Sequence, residues 1–128
     1  MPTIHNPASI AKPASTYSHG VEVSPGARLL YIAGQVGVTK DGRTADGFEA
    51  QAETCWNNIK AILASAGMGI EDVVKVTTFI TQREDIPTVR IVRDRHVAVP
   101  PPASTLLVVQ GLANSAWLIE IEAVAAKT

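Results

Sequence analysis

Ala52, Cys55, Ile59, Ile62, Leu63 and Ala66 recur at three- and four-residue intervals, so a helix over this stretch carries one continuous apolar stripe. Asp46, with Glu49 three residues on, is placed to cap its start, and Gly67 to end it. The rhythm then changes. Val73 to Ile80 is short and rich in β-branched residues, which predicts a strand. Pro87, just after Glu84-Asp85, opens a second helix running to about Val97, and Pro100, Pro101 and Pro102 stop it and begin an extended segment. Upstream, His19 to Val23 and Arg28 to Ala33 read as strands around Ser24-Pro25-Gly26-Ala27. A Pro-Gly pair suits the central positions of a type II turn, so the two segments predict a β-hairpin. Thr105 to Gln110 and Trp117 to Ala125 are the closing strands. The first 16 residues, with Pro2, Pro7 and Pro13, predict an irregular lead-in with at most one short edge strand.

The resulting order is β-β-α-β-α-β-β, with room for one more strand at the start. Helices between strands imply crossovers, and right-handed crossovers put both helices on one side of the sheet. The expected fold is therefore α+β: a two-layer sandwich with a mixed β-sheet and two helices on one face, built by residues 1–128 as a single domain. The opposite face of such a sheet would stay uncovered in a monomer, which predicts self-association.

Composition narrows the function classes. With 11 Lys+Arg against 12 Asp+Glu, the net charge of -1 offers no global attraction to nucleic acid or to an anionic membrane. No apolar run approaches the ~20 residues of a membrane span, and the N-terminus lacks the pattern of a secretion signal, so the reading is a cytoplasmic protein without a membrane partner. His5, His19 and His96 match no metal-ligand spacing, and the lone Cys55 sits on the apolar helix stripe as a buried thiol; no metal or other cofactor is expected. Arg83, Arg90, Arg93 and Arg95 cluster around the second helix, but Glu84, Asp85 and Asp94 interrupt them and no aromatics accompany them. They read as a solvated face rather than a nucleic-acid surface.

Neither a glycine-rich phosphate loop nor a nucleophile turn is present. What remains is Tyr17, before the first predicted strand, and Glu120 with Glu122, which share one face of the closing strand because side chains alternate. Such acids normally face water. If a neighbouring subunit covers that face, one of them becomes a candidate general acid/base.

Several short pieces, in order, resemble the RidA/YjgF family: Tyr17 to Gly20, Gly34-Gln35, Gln51, Asn58-Ile59, Ala66-Gly67, Asp72 to Lys75, Pro102-Ala103 and Glu120 to Ala123. The resemblance runs from about Asn6 to Ala125. It implies a chorismate-mutase-like fold assembled as a homotrimer, with ligand clefts between subunits. It further implies cofactor-free hydrolysis of small enamines or imines to a 2-keto acid and ammonia. By that resemblance Glu120 is the catalytic glutamate and Tyr17 lines the cleft. Ser104, followed by Thr105, stands where the family carries a substrate-binding arginine; Ala33 and Arg90 are further departures beside the cleft. A serine hydroxyl in place of a bidentate guanidinium forfeits about 2 to 4 kcal/mol of carboxylate recognition, a ~30- to 1000-fold effect.

The resemblance therefore implies a deaminase or hydrolase for a small imine, enamine or related nitrogen compound other than the usual 2-aminoacrylate, with Tyr17, Ala33, Arg90, Ser104 and Thr105 shaping the ligand site. The alternatives are a non-catalytic trimer that binds a small metabolite or a protein and, more weakly, an endoribonuclease.

Overall fold

The computed structural model describes residues 2–128. Its elements are β1 (Thr3–His5), β2 (Gly20–Glu22), β3 (Arg28–Val36), α1 (Phe48–Ser65), β4 (Val73–Ile80), α2 (Ile86–His96), β5 (Ala103–Val108) and β6 (Ile119–Lys127). The main sheet has four strands in the order β3-β6-β4-β5; β4 and β5 are parallel, and β6 is antiparallel to both of its neighbours. A parallel pair needs a long crossover, which α2 supplies for β4 and β5. β3 and β4, both antiparallel to the β6 between them, are likewise joined through α1. Both helices lie on one face, as the two-layer α+β expectation required.

The strands sort their residues by parity. On β4, Val76, Thr78 and Ile80 face the helices and are buried, and on β6 Ile119, Ile121, Ala123 and Ala125 do the same. They pack against Ala52, Cys55, Trp56, Ile59 and Leu63 of α1 and Val89 and Val92 of α2. On the other face no described element covers these positions of β3 and β5: Leu29 is 49 % exposed, Tyr31 74 % and Leu107 44 %.

Some expectations need correction. The turn at Ser24 forms, with Gly26 at φ 79° and Ala27 N–H donating to Ser24 O at 3.3 Å, but there is no hairpin. β2 pairs with β1 in a separate two-stranded ribbon, while β3 pairs with β6. Asp46 does not cap α1; Gly47, at φ 88°, occupies that position and no side-chain hydrogen bond is made there. The final strand starts at Ile119 rather than Trp117 because Leu118 is taken up elsewhere. Its N–H donates to Gln51 Oε1 at 2.9 Å, and Gln51, buried on α1, donates in turn to Ala116 O and Ala45 O.

The arginines of α2 are not a uniformly solvated face either. Arg95 bridges Glu49 and Glu53 of α1, and the neighbouring His96 bonds Glu53 at 2.9 Å and stacks on Trp56. Arg93 points inward and is only 8 % exposed.

Candidate functional site

The register of β3 against β6 breaks between Ile32 and Gln35, so Ala33 and Gly34 together face the single residue Glu122. This bulge bends the strand and puts a residue without a side chain beside Glu120. A Cβ on Gly34 would overlap the Glu120 carboxylate and lie 2.7 Å from its Cδ. Gly34 is thus the opening through which Glu120 lies flat on the sheet, a role that the Gly-Gln pair alone did not disclose.

Glu120 is half-buried, and its carboxylate makes no hydrogen bond or ion pair with any described residue. Val36 and Phe79 are its cross-strand neighbours on the uncovered face. Glu122, two residues on, is exposed. Thr105 shares that face, opposite Thr77, and its hydroxyl accepts from Lys75 Nζ at 2.7 Å. Ala33 is exposed at the bulge. Cys55 lies beneath, sealed against Gln35 O at 3.2 Å. Burial, reinforced by the nearby Glu120 charge, pushes its thiol up to about 12, which removes it as a nucleophile at neutral pH.

Tyr17 and Ser104 form a second group at the outer edge. Buried Ser18 donates its N–H to Pro102 O at 3.0 Å and its hydroxyl to Pro101 O at 2.6 Å, and it bridges to Ala103, which staples the lead-in to the start of β5. Half-buried Tyr17 precedes it, packed edge-on to His19, with its hydroxyl accepting from Ala14 N–H at 3.3 Å. Ser104 pairs with Val76, so it faces the helix layer while Thr105 faces the opposite side. Its hydroxyl has no hydrogen-bond partner among the described residues. Arg90 is exposed on α2 and likewise makes no such bond.

Within one chain, then, Glu120, Ala33 and Thr105 share the open face, and Tyr17 and Ser104 share the β5 edge. Two strand spacings, about 10 Å, separate β5 from β6, and Ser104 looks away from Glu120. The cavity of about 300 Å³ contains neither group; Ile4, Val21, Val99, Pro101 and Ala126 are among its walls, toward the far end of β6. Among the described residues no cluster of three or more His, Cys, Asp or Glu could hold a metal ion, and no helix is long and apolar enough to cross a membrane.

Comparison with known proteins agrees with this architecture. The family described as endoribonuclease L-PSP matches residues 7–127. A RutC family protein from Aquifex aeolicus is 34 % identical over 116 residues, covering 88 % of this chain and 90 % of that one. A 2-iminobutanoate/2-iminopropanoate deaminase from Dermatophagoides farinae is 30 % identical over 115 residues, covering 88 % and 87 %. Among solved structures, YyfB from Yersinia pestis, a Rid-family protein of unknown function, superposes with a TM-score of 0.85 at 29 % identity, covering 98 % of both chains. The sequence pieces, the bulged four-stranded sheet with its two helices, and these likenesses along nearly the whole chain agree: this protein belongs to the RidA/YjgF family.

Proposed function

We propose that this protein hydrolyses a small imine, enamine or related nitrogen compound to a carbonyl compound and ammonia, in clefts between the subunits of a homotrimer. The observation that carries the reading is Glu120: a half-buried carboxylate with no partner among the described residues, laid over Gly34 on the sheet face away from the helices. Such a group has both oxygens available to a water molecule. The exposed Leu29, Tyr31 and Leu107 elsewhere on that face favour a second copy of the chain as the cover. A neighbour docked there would also bring its own β5 edge, with Tyr17 and Ser104, toward a Glu120 that the same edge cannot reach within one chain. The deaminase similar to this chain supports the reaction class.

In this mechanism Glu120 accepts a proton from water as the water oxygen bonds to the imine carbon, the C=N π pair moves onto nitrogen, and Glu120 passes that proton to the nitrogen. In the resulting carbinolamine Glu120 takes the hydroxyl proton as the C=O bond forms and delivers it to the nitrogen as the C–N bond breaks, which releases a carbonyl compound and ammonia. Tyr17, Ser104 and Thr105 shape the ligand site, and Ala33 leaves room at the bulge.

The test is ammonia release from freshly generated 2-iminopropanoate and from uncharged imines. Wild type should turn over at least one of them, and Glu120→Gln should lower the rate by about 10²- to 10⁴-fold. Saturable binding without turnover would reassign the protein as a binder. RNA cleavage that survives repurification and vanishes in Glu120→Gln would reassign it as a ribonuclease.

A further inference from the structure

Arg93 is a cation almost withdrawn from water, and its partners engage only part of its guanidinium. Its Nε donates to Asp94 at 3.0 Å, and Asp94 is itself half exposed. Its Nη1 reaches Ser15 Oγ only at 3.5 Å, the outer limit of a hydrogen bond. Its Nη2 has no protein partner among the described residues and is not sealed from solvent. A guanidinium stays charged wherever it is placed, and a free Nη edge matches the two oxygens of a carboxylate.

Its position is equally specific. α2 leads into β5 through the Pro100-Pro101-Pro102 segment, and it packs on the sheet face toward which Ser104 is directed. The lead-in links α2 to the start of β5. Ser15 touches Arg93 while Ser18 is bonded to Pro101 and Pro102, and three residues of chain reach no more than about 10 Å. Tyr17 lies between these two anchors. Arg90, one turn earlier, is exposed.

We infer that Arg93 is the anion-recognising residue of the cleft, reaching from the helix toward the space that the short Ser104 leaves, and that the ligand carries a carboxylate. This rests on the reading that the edge formed by Tyr17 and Ser104 is a ligand site, but not on turnover. The ligand class becomes a small imino or keto acid held by α2 rather than by β5.

The probes are pyruvate and pyruvamide, which differ in the charged group, titrated into the full-length protein and followed by NMR. Wild type should prefer pyruvate by about tenfold or more, the effect of one charge-assisted contact. Arg93→Met, which keeps length and apolar packing, should abolish that preference, and Arg93→Lys should restore part of it. Circular dichroism and molecular size report folding. The proposal is overturned if wild type shows no preference, if folded Arg93→Met discriminates as wild type does, or if Arg90→Met rather than Arg93→Met removes the discrimination. Should Arg93→Met not fold, an undiminished preference in Arg93→Lys overturns it. Loss of discrimination in Arg93→Met with no ammonia release from wild type would uphold this site and refute the deaminase.

Discussion

Along β6, Ile119, Ile121 and Ala123 press into the helix layer, while Glu120 and Glu122 stand on the other side among Val36, Phe79 and Thr77. The first set is sealed by α1 and α2. The second shares its face with exposed Leu29, Tyr31 and Leu107 and includes a carboxylate without a partner among the described residues. One strand thus serves two ends through alternation alone: odd positions hold the monomer together, and even positions await something from outside it. Substitutions one residue apart should separate stability from function.

The sharpest contrast is between Trp56 and Tyr31. Trp56→Ala empties a fully packed position and should cost about 3 to 5 kcal/mol in urea unfolding. Tyr31→Ala should leave the monomer's stability within about 0.5 kcal/mol and instead weaken self-association, visible as a shift to smaller species on dilution in sedimentation. Equal losses of monomer stability would erase the distinction between the faces.

Two glycines of β3 and its exit make a finer comparison. A Cβ at Gly37 would lie 2.5 Å from the Cβ of Gln51 and 2.7 Å from its Cα, so Gly37→Ala forces α1 off the sheet and should cost about 1 to 3 kcal/mol. Gly34→Ala meets only the flexible end of Glu120. It should barely move the melting midpoint yet displace the carboxylate and reduce ammonia release by about 100-fold.

The smallest effect concerns the helix layer. Burial raises the tendency of Glu53 to hold its proton, but the bonds from His96 and then Arg95 outweigh it and keep the carboxyl below its ordinary 4.5. Its contribution is therefore complete above pH 4.5 and is lost as the pH falls through the lower folded value. Glu53→Gln should flatten the acid limb of a stability-against-pH curve and leave ammonia release at neutral pH unaltered.

Elements whose signal is local were legible in the sequence: β4 matches its predicted bounds, and α2 opens beside Pro87 and closes before the three prolines. Partner choice was not. The Ser24 turn is real, but a turn fixes only the direction of the chain, and β3 found its burial against β6. The separation of Ser104 from Thr105 follows from strand alternation once β5 is set in register with β4. The inward turn of Arg93 had no comparable signal, since charge patterning around α2 gives no hint of the lead-in that folds over it.

The position of β6 also sets a schedule for the chain's making. β6, made after the other described elements, is the strand that β3 and β4 must both embrace. β4 and β5 can pair before it emerges, but β3 cannot join them, so one edge of β3 and one of β4 stay open until then. A nascent chain of this protein that stalls before Ile119 would be a sticky intermediate, and its quality control falls to whatever shields it until β6 is made.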